Sequence, residues 1–186
     1  MMSRIFNYGA IILVLALYSC GQDAIPKPIG HLKLEYPKAT YQKFDSNCLY
    51  DFDINQSSQI KTNNCSFEIN YPKMKATIYL TYKSVHNNID DLLLDAQKLT
   101  YKLHTLKADD ISEQPFINKK KKVYGMFYQV GGNAATNALF YATDSTKNFV
   151  TGSVYFYAKP NYDSILPAAK YLEEDMRHIM ETLEWK

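Results

Sequence analysis

The alternation of apolar and polar positions divides the chain into short strand-like runs and two helical stripes. Residues 31–36, 48–54 and 65–71 read as strands, and Pro37 and Pro72 close the first and third, since proline has no N–H to give a ladder. Residues 76–83 form a clearer strand, with Ile78, Leu80 and Tyr82 on one face and Thr77, Tyr79 and Thr81 on the other. Ile89, Leu92, Leu93, Ala96, Leu99 and Leu103 then recur at helical spacing and predict one buried stripe. Asn88 is placed to cap that helix, and Asp90 and Asp91 suit its first turn. Three more strands follow at about 123–130, 136–143 and 149–157. The connections Gly131-Gly132-Asn133 and 144–148 have turn composition and hairpin length, which predicts an antiparallel meander. A second helix begins between Ser164 and Pro167, with Pro167 expected in its first turn. Ile165, Ala168, Ala169, Leu172, Met176, Ile179 and Leu183 form its stripe, and Trp185 is expected to seal the end of the core.

The resulting order, β-β-α-β-β-β-α, predicts an α+β fold: an antiparallel sheet with helices packed on it. It resembles the PsbP-like α/β sandwich. That likeness concerns architecture and assigns no activity.

The first 19 residues are read as a signal peptide and not as part of the fold. Arg4 supplies a short positive region, and the apolar stretch 10–17 is too short to cross a bilayer core of roughly 30 Å. Leu17-Tyr18-Ser19-Cys20 resembles the bacterial lipobox, with Tyr18 bulkier than usual, and makes Cys20 the acylated first residue of the mature chain. Several acyl chains on one residue, palmitate among them, give durable attachment, at roughly 0.8 kcal/mol per buried methylene. Residues 20–30 read as a lipidated tether stiffened by Pro26 and Pro28, and residues 31–186 as one α+β domain. Gly21, in place of a retention Asp, points to the periplasmic side of the outer membrane, with the inner membrane as the alternative.

Composition narrows the chemistry. The formal net charge of +2, with acids and bases mixed, argues against a nucleic-acid partner. Cys48 and Cys65 enter an oxidising compartment after export and read as a disulfide, the alternative being two free thiols. His31, His86, His104 and His178 lack ligand spacing, so no metal is expected, and neither a nucleophile elbow nor a phosphate loop is present. No catalytic residue and no cofactor are therefore assigned. Two features remain as candidates for ligand or partner contact. One is a sheet face rich in tyrosine: Tyr124, Tyr128, Tyr141, Tyr155 and Tyr157. The other is the run Lys119, Lys120, Lys121 and Lys122, ordinarily a solvated loop, which suits anionic headgroups or an acidic partner.

A distributed set of short runs is more distinctive than any motif. It includes Ile78-Tyr79-Leu80-Thr81-Tyr82-Lys83, Lys107-Ala108-Asp109, Val123-Tyr124-Gly125 and Gly132-Asn133-Ala134-Ala135-Thr136-Asn137. It continues through Phe140-Tyr141-Ala142-Thr143-Asp144, Pro160-Asn161-Tyr162-Asp163-Ser164-Ile165 and the final Glu181-Thr182-Leu183-Glu184-Trp185-Lys186. Over nearly the whole mature chain this resembles the gliding motility-associated lipoprotein family GldD of Bacteroidetes. The resemblance implies a non-catalytic accessory lipoprotein of the gliding machinery and of the type IX secretion linked to it. Its partners would be the membrane, through the lipid anchor, and other gliding or secretion envelope proteins. The competing expectation is an envelope ligand-binding lipoprotein that takes peptidoglycan, glycan or lipid on its aromatic sheet face.

Overall fold

A computed structural model of the chain describes residues 35–104, 108–157 and 162–186, which belong to the compact unit His31–Lys186. The expected signal peptide, Cys20 and the tether lie outside the described residues, as does most of the strand expected at 31–36. Ten strands and two helices are present among the described residues: β1 Tyr41–Phe44, β2 Tyr50–Asn55, β3 Gln59–Asn63, β4 Ser66–Tyr71, β5 Ala76–Ser84, α1 Ile89–His104, β6 Ala108–Asn118, β7 Val123–Gly132, β8 Ala138–Thr143, β9 Asn148–Phe156, α2 Tyr162–Thr182 and β10 Glu184–Trp185. Seven strands make the main sheet in the order β3-β4-β5-β9-β8-β7-β6, and a smaller sheet has the order β1-β2-β10. All pairings are antiparallel, and β7, β8 and β9 form the expected meander. The architecture is the α+β sandwich that the pattern predicts.

Alternation along the central strands sorts side chains onto two faces of the main sheet. The inner face carries Phe67 and Ile69 from β4, Ile78 and Leu80 from β5, Phe127 from β7, Phe140 from β8, and Val150 and Val154 from β9. Against it lie Tyr50, Phe52 and Ile54 of the small sheet and Leu172, Met176, Ile179, Met180 and Leu183, which belong to or follow α2. Each such side chain contributes about 1.5–3 kcal/mol when fully buried. Gly152 is needed in this layer because a Cβ there would come within 2.2 Å of the Phe140 ring on the neighbouring strand. Trp185 packs against the rim of the core, and its indole N–H donates to the carbonyl oxygen of Lys122 at 3.0 Å. The outer face is covered only in part. Leu92 and Ala96 of α1 pack on Phe149, and Leu99 packs with Tyr128, Val130 and Leu139.

Four strands fall outside the pattern reading, and all four are edges. β3 and β6 are the two edges of the main sheet, and β1 and β10 are those of the small one. The sequence from 55 to 59 is polar and without apolar periodicity, and β3, which starts at Gln59, is exposed along most of its length and gives no alternation to read. β6 carries Pro115 and a register irregularity between Ala108 and Ile111, both tolerated at an edge. The start of α2 needs correction. α2 begins at Tyr162, so Pro167 sits beyond the first turn, inside the helix. Asn88 does occupy the capping position, since its carbonyl accepts the Leu92 N–H at 3.1 Å, but its side chain accepts from the preceding His86 N–H at 2.8 Å.

Candidate functional site

The five candidate tyrosines do share one face. Tyr124 and Tyr128 on β7, Tyr141 on β8 and Tyr155 on β9 all alternate with inner-face residues, and Tyr157 continues the same alternation just past β9. What lies over them differs. Tyr128 is 3 % exposed, meets Tyr101 of α1 edge-on at 6.5 Å and touches Tyr141. Tyr141 stacks on Phe149 at 5.8 Å. Burial raises the Tyr128 hydroxyl to about 12, with lesser contributions from Tyr141 and Glu113, and burial likewise raises Tyr141. These two rings therefore belong to the packing beneath the helix, and Tyr128 offers no accessible surface. Tyr124 is half-buried.

Toward β4 and β5 the same face is open among the described residues. Tyr157 is 63 % exposed, and its hydroxyl bonds that of Tyr79 at 2.7 Å and that of Thr77 at 3.0 Å. Thr77 in turn donates to Asn70 at 2.8 Å. The rings of Tyr79 and Tyr155 meet edge-on at 5.8 Å. Tyr79 titrates near 12, raised first by its hydrogen bond to Tyr157 and then by burial. The result is a platform of three aromatic rings, in which Tyr79 and Tyr157 are tied through their hydroxyls and Tyr155 meets Tyr79 ring to ring. Tyr79 escaped the sequence reading as a site residue, although its alternation with Thr77 and Thr81 already put it on the outer face.

The four lysines form the β6–β7 turn. The Asn118 side chain accepts the Lys121 N–H at 3.1 Å, and Lys122 takes φ 50° to complete the reversal. The Lys121 ammonium reaches Glu184 at 3.1 Å and the carbonyl oxygen of Thr182 at 3.3 Å. Lys43 reaches Glu184 at 3.3 Å, and the two lysines hold that carboxyl below its ordinary value. The β8–β9 turn lies alongside, with Lys147 and Asn148, as does Lys186. Lys119 is exposed and does not line the concavity that its neighbours form.

Cys48 and Cys65 are bonded, with 5.4 Å between their Cα atoms. The bond ties the entry to β2 to the β3–β4 turn, where Asn64 and Cys65 both take positive φ. Of the histidines, His178 stacks on Tyr41 at 3.6 Å with its Nε2 3.4 Å from Asp53, and His86 is exposed. No group of three or more metal-ligating side chains occurs among the described residues, and no described helix is long and apolar enough to cross a membrane.

No curated protein matches the chain. The family model described as gliding motility lipoprotein GldD matches residues 21–185, a span that includes both sheets, both helices, the tyrosine platform and the lysine turn. The chain belongs to the gliding motility lipoprotein GldD family.

Proposed function

We propose that this lipoprotein is a non-catalytic accessory component of the gliding apparatus and of the type IX secretion linked to it. In this reading Cys20 carries the lipid that holds the chain at the periplasmic side of the outer membrane, and the folded unit binds other envelope proteins. The observation that carries it is the uncovered half of the outer sheet face, where Tyr79, Tyr155 and Tyr157 form an ordered aromatic platform. Tyrosine suits such a role because it offers a large, stiff ring at low cost in conformational entropy, together with a hydroxyl for a partner. The inner face is filled by the chain's own core and most of the helix-covered half is packed, whereas Tyr157 of the platform is 63 % exposed. The family membership supports the gliding context.

The anchoring half of the proposal is tested by Cys20→Ala in a gliding strain. Loss of the protein from the membrane fraction together with impaired spreading or secretion is the expected outcome. A Cys20→Ala protein that stays membrane-bound and supports normal motility would remove the role assigned to the anchor.

A further inference from the structure

A concavity of about 630 Å³ opens where the β6–β7 turn, the β8–β9 turn and the end of β10 meet. Its volume falls within the range of roughly 300–1,000 Å³ common to small-ligand sites. Its walls include Lys120, Lys122, Lys147, Asn148, Thr146 and Trp185. We propose that this bay binds an anionic saccharide, its phosphoryl or carboxylate group held by the three lysines and its ring laid against Trp185.

The charge in the bay is left uncompensated by the fold. Its two carboxylates are already engaged. Glu184 is held by Lys121 and Lys43. Asp144 accepts the backbone N–H groups of Thr146, Lys147 and Asn148 at 2.8–2.9 Å and the Asn148 side-chain N–H at 2.8 Å, so it serves to close its own turn. Lys186 is engaged as well, with Asp45 at 2.8 Å and Asp51 at 3.0 Å. Lys120, Lys122 and Lys147 are exposed and have no carboxylate partner among the described residues. Three unpaired ammonium groups around one concavity repel one another, and an incoming anion removes that repulsion while gaining charge-assisted hydrogen bonds.

Two further features select a sugar over a bare anion. Trp185 is half-buried, and its indole N–H is fixed on the Lys122 carbonyl, so the ring is held in the wall as a flat apolar surface. A pyranose presents a C–H face to such a surface and hydroxyls to an exposed side chain such as that of Thr146. Phospholipid headgroups offer an anion without a sugar ring, and the experiment below separates them from a saccharide.

Trp185 is the one tryptophan in the sequence, so its fluorescence reports on the bay directly. The full-length lipoprotein in phosphatidylcholine nanodiscs would be titrated with glucose 1-phosphate, glucuronate, glucose and inorganic phosphate, and compared with the protein in discs containing phosphatidylglycerol. A saturable Trp185 change with an anionic sugar and none with glucose is expected. Lys120→Gln combined with Lys147→Gln, two exposed substitutions that disturb no packing, should weaken that binding about tenfold or more. The proposal is overturned by any of four results: no saturable change with either anionic sugar, an unaltered affinity in the double variant, inorganic phosphate binding as tightly as the sugars, or a Trp185 change produced by phosphatidylglycerol alone. The third would leave a simple anion site and the fourth a membrane-surface contact.

Discussion

The outer face of the main sheet holds two groups of tyrosines that look alike in sequence and do different work. Tyr128 and Tyr141 lie under α1, packed against Tyr101, Leu99 and Phe149. Tyr79, Tyr155 and Tyr157 stand on the neighbouring strands with no described element over them, and they order one another through ring contacts and hydroxyl hydrogen bonds. Residue type and strand parity are the same in both groups, so the role of each tyrosine is decided by what the rest of the chain lays over it. The two halves are also held differently. A helix clamps one, and the Cys48–Cys65 bond fastens the other at the turn that opens β4.

That contrast predicts a wide spread of mutational effects. Tyr128→Ala empties a buried site and should lower unfolding stability by about 3–5 kcal/mol, the range for large aromatic truncations in cores. Tyr157→Ala removes a mostly exposed ring and two surface hydrogen bonds, and should cost less than about 1 kcal/mol. Denaturant unfolding of the two variants side by side measures the difference, and equal losses would erase the distinction between covered and open halves. Replacing Cys48 and Cys65 together by Ala ranks next, at about 3 kcal/mol for a loop of this length in the chain-entropy model. Hydrogen exchange in that variant should rise first in β3 and β4, with β7 and β8 little changed.

Titration gives a subtler separation. Tyr79 and Tyr128 both ionise near 12 in the folded chain, against about 10 for a free tyrosine. A raised folded-state value means that each contributes stability in full below about pH 10 and loses it as pH climbs toward 12. The causes differ, so Tyr157→Phe should lower the Tyr79 value toward 10 and leave Tyr128 near 12. Phenolate absorbance at high pH resolves the two, and a Tyr79 value unmoved by the loss of the Tyr157 hydroxyl would place its origin elsewhere.

The sequence pattern reached the central strands and both helices because each buries one face, which leaves a period of two or of 3.6 in the apolar positions. Edge strands leave a weaker imprint. Gln59–Asn63 and Ala108–Asn118 pair along one side, meet solvent on the other and tolerate polar residues and Pro115. The shared face of the five tyrosines was likewise legible from parity. The cover over Tyr128 was not, because it depends on where α1 lands, a tertiary event without local signature. The lysine bay shows the same limit. Lys119–Lys122 stands out as a run, but its assembly with Lys147 and Trp185 requires two turns and the last strand to converge.

The central claim is that the open tyrosine half is where this GldD-family lipoprotein meets its partners. Site-specific photo-crosslinking in intact gliding cells tests it most directly, with a photoreactive phenylalanine analogue placed at Tyr157 in one strain and at Leu94, an exposed residue of α1 at 48 %, in another. The account predicts a discrete crosslink to an envelope protein of the gliding apparatus from position 157 and none from position 94. No adduct at 157, or the same adducts from both positions, would contradict it.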